Sequence, residues 1–174
     1  EFISKSGPLS VSRESDLLVL DFPVIAAQPC AIPPEFAAIM SVAPGSFELL
    51  EAQNNVLLVL ADEAAVRGLK PDMARLAALP YQGLIATAPG QQHDFVSRYF
   101  APAIGINEDP VTGFAHCILT PFWAARFKRD ELSAYQCSAR GGELHCRLRG
   151  ERVHMAGSAL RVASGQLQLD ESAI

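Results

Sequence analysis

The chain has 174 residues, 49% of them hydrophobic and 19% charged, which suits one well-buried domain and leaves little room for a second. Its formal net charge is -5 and its 14 Lys and Arg residues form no basic run, which argues against a nucleic-acid partner. Every long apolar stretch is broken by Pro, Arg or Asp before membrane-spanning length, and no basic-then-apolar leader opens the chain, so no membrane association is expected.

Phe2-Ile3-Ser4-Lys5 reads as a strand, Gly7-Pro8 as a turn, and Leu9 to Ser12 as a half-buried strand by its alternation. Leu17 to Phe22 is a nearly continuous apolar run closed by Asp21 and Pro23, hence a more buried strand. Pro33-Pro34-Glu35 opens a short helix with Phe36, Ile39 and Met40 on one face. Phe47 to Ala52 and Val56 to Ala61 are strands joined at Asn54-Asn55. Asp62 is placed to cap a short helix ending at Gly68, and a second short helix over Asp72 to Leu79 turns Met73, Leu76 and Ala77 inward. Tyr81 to Ala88 and Asp94 to Phe100 are strands around Pro89-Gly90.

Thr112 to Phe127 differs from the other helices. Phe114, Cys117, Ile118, Leu119, Phe122, Trp123, Ala125 and Phe127 leave no wide polar face, so other elements must surround it. Pro121 removes the hydrogen bond to the Cys117 carbonyl and predicts a kink. Short strands follow at Leu132 to Ala139, Glu143 to Leu148, Arg152 to Met155, and Ala159 to Leu169 with a break near Gly165. The expected architecture is α+β, a strongly curved sheet or barrel wrapped around one buried helix.

The chemistry-bearing residues gather ahead of that helix. Asp109 followed by Pro110 makes an N-cap and first-turn pair; alternatively Thr112 is the cap and Gly113 the first helical residue. In either case the helix start offers free N–H groups and the positive end of its dipole, worth roughly 0.3–1 kcal/mol to a carboxylate. Gly113 leaves room for a ligand to approach the backbone. His116, one turn in, either serves that ligand or is a satisfied core histidine. His145 and His154 read as surface residues, and His93 has no visible partner. Cys30, Cys117, Cys137 and Cys146 form no C-x-x-C pair and have no His at zinc-finger spacing; they are expected as reduced, packed thiols in the cytoplasm. No Walker-type or Rossmann-type glycine loop occurs, so neither a nucleotide cofactor nor a metal is expected.

Three separated segments resemble the PhzF phenazine-biosynthesis family in order and spacing: Asp94 to Pro102, Glu108 to His116, and Gln136 to Leu144. Phe2 to Leu9 resembles the strand that starts that family's second half, so the likeness covers essentially the whole chain. The resemblance implies a diaminopimelate-epimerase-like fold of two lobes, each a β-barrel around a central helix, with the active site where the two helix starts face each other. Residues 1–174 would be the C-terminal lobe, with the N-terminal lobe absent. It further implies a cofactor-independent isomerase or epimerase of a small carboxylate substrate, working by acid–base proton transfer as a homodimer. Asp109 would orient the substrate as the catalytic residue here, with Thr112, Gly113, Phe114 and His116 binding it, and the proton-shuttling glutamate would lie in the absent lobe. The family usually has Ser where this chain has Phe114. That departure motivates the alternative, a non-catalytic binding or interaction protein on the same fold.

Overall fold

The computed structural model describes residues 2–4, 7–31, 33–166 and 168, and shows an α+β chain built mostly of strands in one mixed sheet. In chain order the elements are β1 (Phe2–Ser4), β2 (Gly7–Glu14), β3 (Leu17–Pro23), β4 (Gln28–Pro29), α1 (Phe36–Met40), β5 (Glu48–Ala52) and β6 (Asn55–Val59). Then come α2 (Glu63–Gly68), α3 (Met73–Ala77), β7 (Gly83–Pro89), β8 (Phe95–Ala101), a short 3-10 turn and β9 (Ile106–Asp109). The last elements are α4 (Gly113–Phe127), β10 (Glu131–Gln136), β11 (Gly142–Arg149) and β12 (Arg152–Gly157).

Neighbouring strands run β1-β2-β3-β12-β11-β10-β8-β7-β6-β5-β4, with β9 beside β8. Among the described residues only β8 with β10 and β6 with β7 pair in parallel. α4 lies on one face of this sheet, where Cys117, Ile118, Leu119 and Trp123 pack with Leu57, Ile85 and Phe95 and with Leu132, Leu144, Val153 and Met155. On the other face α1, α2 and α3 lay Phe36, Ile39, Val66 and Leu76 against Leu49, Leu58, Leu84 and Phe100. The central strands are therefore covered on both sides. That is why β6 and β7 are buried at nearly every position rather than at alternate ones.

α4 has no solvent face over most of its length: Ala115 to Thr120 are all buried, as are Trp123 and Ala124. Pro121 sits inside it without ending it. The Cys117 carbonyl, which Pro121 deprives of its helical donor, accepts instead from the Ile25 N–H at 3.1 Å. Trp123 anchors the far half. Its Nε1 donates to Thr87 Oγ1 at 2.9 Å, and its ring lies near-parallel to Phe95 and Phe127.

The short helices start where their caps place them. Asp62 accepts from the Ala65 N–H at 2.8 Å and Asp72 from the Arg75 N–H at 3.1 Å. Other expectations shift. The β5–β6 turn is Gln53-Asn54, both left-handed, as a two-residue hairpin requires; Asn55 instead opens β6, buried, and accepts from the Tyr99 hydroxyl. β2 runs on to Glu14 and turns at Ser15-Asp16, because its polar end pairs with β3 at the sheet rim. β9 was not expected: four residues with an irregular register carry no alternation to read. The expected strand from Ala159 is irregular through 166, and its remainder at 167 and 169 lies outside the described residues, as do Lys5 and Ser6.

Replacing Trp123 by Ala should destabilise the chain by about 3–5 kcal/mol, from lost burial, a cavity and an orphaned Thr87 hydroxyl partner. The exposed Ile104 replaced by Ala should stay within about 0.5 kcal/mol. Urea unfolding of the two variants beside the wild type measures both.

Candidate functional site

The start of α4 is a knot of hydrogen bonds centred on Thr112. Thr112 is the N-cap residue, with extended backbone (φ -114°), and Gly113 is the first helical residue. The choice between Asp109 and Thr112 as cap thus falls to Thr112 by position, yet no side chain caps the helix. The Thr112 hydroxyl turns away and donates to Asp109 Oδ2 at 2.5 Å. Its N–H donates to Gln136 Oε1 at 2.8 Å, and its carbonyl accepts from His116 Nδ1 at 2.8 Å. Gln136 Nε2 completes the knot, donating to the Asp109 carbonyl at 2.7 Å and to Thr112 Oγ1 at 3.1 Å.

The backbone N–H groups of Gly113 and Phe114, left without a cap, sit at the positive end of a 15-residue helix. Asp109, Thr112 and Phe114 line a cleft of about 360 Å³ together with Gln53, Gln82 and Tyr99. Gly113 opens on the other side of the helix start, into a cavity of about 610 Å³ with Val111, Arg140 and Glu143 on its wall. A methyl group added at Gly113 would meet only Leu20 and Phe22 carbons, at 3.8 and 3.9 Å, so the fold itself does not demand glycine there. Phe114 is half-buried, and besides the cleft it walls an apolar cavity of about 450 Å³ with Phe22, Ile25 and Cys117.

His116 is not beside these residues at the cleft. It is fully buried, its ring 6.0 Å from that of Phe95, because a helix apolar all round brings its first turn straight under β8. Since Nδ1 must carry the proton given to Thr112, Nε2 is bare, and it has no partner. Burial pushes the imidazole down from 6.5 to about 4, against the opposing pull of the Thr112 carbonyl. Glu108 is likewise drawn off: Arg98 holds both its oxygens, at 2.7 and 2.9 Å, and uses Nη1 to bind the Leu69 carbonyl just beyond α2.

Gln136 had no signal of its own as a site residue. It shows only as an amide on the inward-facing side of β10, among Leu132 and Ala134. Tyr99 also joins the cleft unannounced; burial, and secondarily the Asp109 charge, push its phenol up. His93 does have partners: it stands 3.3 Å from Glu143 and stacks on Tyr135, both far along the chain. His145 is exposed and His154 is half-exposed, 3.7 Å from Asp21. All four cysteines are free, and burial pushes Cys117 and Cys146 up to about 12, so neither is a ready nucleophile. Among the described residues no three His, Cys, Asp or Glu side chains gather as a metal site, and no helix is long and apolar enough to cross a membrane.

The α4 start is thus left uncapped beside a pinned aspartate, on a mixed α+β sheet. The profile of the phenazine biosynthesis-like protein family (PhzC-PhzF) matches residues 13–165, and the chain belongs to that family. It is similar to two uncharacterized isomerases of Pseudomonas aeruginosa, 52% identical over 169 residues and 46% over 168. It also resembles the crystal structure of a PhzF-family protein of Enterococcus faecalis, with a TM-score of 0.85 at 41% identity. Each likeness covers 97% of this chain but 64% of the other protein, so the chain spans just under two thirds of its relatives' length.

The buried imidazole has a consequence for stability. A histidine that titrates lower folded than unfolded contributes fully above its unfolded value near 6.5 and loses that contribution as pH falls through about 4. Denaturant titrations across that window should show a loss on the order of 3 kcal/mol. His116→Gln should be less stable at neutral pH and lack this slope. A slope that persists in the variant would assign the titrating group elsewhere.

Proposed function

We propose that this chain supplies the substrate-binding half of a cofactor-independent isomerase or epimerase acting on a small carboxylate. The observation that carries it is the uncapped start of α4 opening beside Asp109, in a family whose relatives in Pseudomonas aeruginosa bear the name isomerase. In this reading the chain is one lobe of two, its sheet curving as a barrel about α4. The facing wall comes from the third of its relatives' length that it does not span.

The N–H groups at Gly113 and Phe114 bind the substrate carboxylate, where dipole and unsatisfied donors favour an anion. Asp109, held by Thr112, hydrogen-bonds and orients the rest of the molecule. Proton removal from carbon and its return to another carbon, or to the opposite face of the same one, is general acid–base chemistry, performed by a carboxylate on the facing wall. Phe114 brings a ring where the family usually has a hydroxyl, so the substrate meets an apolar surface on that side. His116 acts at one remove, by fixing the Thr112 carbonyl from below.

The protein, at the full length its gene encodes, should incorporate deuterium into a substrate carbon when incubated in D₂O with a panel of cyclic and amino-acid carboxylates, followed by proton NMR. No incorporation across the panel would sink the isomerase. Asp109→Asn should lower kcat/KM by about tenfold or more, the scale of one hydrogen bond to a charged group. Gly113→Ala should raise KM by hindering the ligand's approach to the backbone, with little change in melting temperature, since its new methyl group meets Leu20 and Phe22 only at ordinary contact distance. Phe114 favours a second reading, a binding protein without turnover. Carboxylate binding without exchange, with turnover appearing in Phe114→Ser, would favour that one.

A further inference from the structure

Gln136 is wholly buried, and both ends of its amide face the same stretch of backbone. The end facing the Thr112 N–H must be Oε1, and the end facing the Asp109 carbonyl must be Nε2, because an N–H needs an acceptor and a carbonyl a donor. The second hydrogen on Nε2 is then directed at Thr112 Oγ1, 3.1 Å away. A threonine hydroxyl has a single hydrogen. With Oγ1 accepting from Gln136, that hydrogen goes to Asp109 Oδ2. Donation therefore runs one way, from amide to hydroxyl to carboxylate, and ends on Asp109 as an acceptor. Its other oxygen, Oδ1, takes no hydrogen bond from the described residues, and Asp109 lines the cleft.

We propose that Gln136 is a positioning residue for ligand recognition. By aiming the Thr112 hydroxyl at Oδ2, it presents Asp109 to the cleft as an acceptor, so the site favours a carboxylate that also carries a hydroxyl or amino donor. The inference rests on the carboxylate-binding function proposed above and adds the donor requirement and the residue that imposes it. Without the Gln136 amide, Oγ1 has no donor to fix it. The hydroxyl is then free to turn, and Asp109 is no longer held in one orientation.

The test titrates two matched probes, 2-hydroxybutyrate and butyrate, into the protein and follows the Thr112, Gly113 and Phe114 amides by NMR. The wild type should bind the hydroxy acid about tenfold or more tightly, the scale of one hydrogen bond to a charged group. Gln136→Met and Thr112→Val should shrink that ratio to about twofold, and Thr112→Ser should keep it. A merely structural loosening would weaken both acids in proportion and leave the ratio intact. Thr112→Val leaves Gln136 in place, and Gln136→Glu keeps the acceptor for the Thr112 N–H while removing the donor. These two carry the test if Gln136→Met does not fold. If neither acid binds the wild type, the carboxylate site itself fails. If both bind equally, the donor requirement alone fails. A preference that survives in Thr112→Val and in the folded Gln136 variant overturns the role of Gln136.

Discussion

Everything in this fold is arranged around one constraint, an apolar helix that cannot face water. α4 buries eight of its fifteen residues, and residues of the strands from β6 to β12 pack against it. The cost of a proline within such a helix is an orphaned carbonyl, and in a buried helix that group has no water to turn to. Ile25, from the stretch between β3 and β4, supplies the missing donor. A local defect in the helix thereby ties a segment distant in sequence onto the core.

The same burial explains the site. α4 reaches the surface at both ends, through Gly113 and Phe114 at its start and through Ala125 and Arg126 in its last turn, and its free N–H groups lie at the start. Thr112 uses its N–H, its carbonyl and its hydroxyl on three partners from three places: Gln136 on β10, His116 a turn below, and Asp109 at the end of β9. Three separate partners thus fix the backbone and side chain of this loop. The bonds of the knot also leave the free helix N–H groups unspent, because the hydroxyl that could have capped them is turned to Asp109 instead.

Family membership was legible from the segments around Asp94, Glu108 and Gln136, and they do meet in space. β8 and β10 pair in parallel at Ser97 and Gln136, and Gln136 reaches across to the Asp109–Thr112 loop. The individual roles within those segments were less legible. His116 and Asp109 sit in the same motif, yet one is fully buried and the other lines a cleft; helical rotation under β8 separates them. Glu108 and Asp109 are adjacent, and strand alternation sends one to Arg98 and leaves the other beside Thr112.

By itself the sequence determined the helices, the apolar strands and the aspartate cap at Asp62. It also determined the almost wholly apolar α4 behind Asp109 and the family likeness. Those follow from local propensity and from patterns within a few residues, which act before any tertiary contact forms. Only the tertiary structure decided which polar groups meet. It paired Gln136 with Thr112, Ile25 with Cys117 and His93 with Glu143, and it buried His116 completely. Hydrogen bonds between residues far apart in sequence have no periodicity to betray them. Their geometry exists only once the hydrophobic faces of sheet and helix have closed on one another.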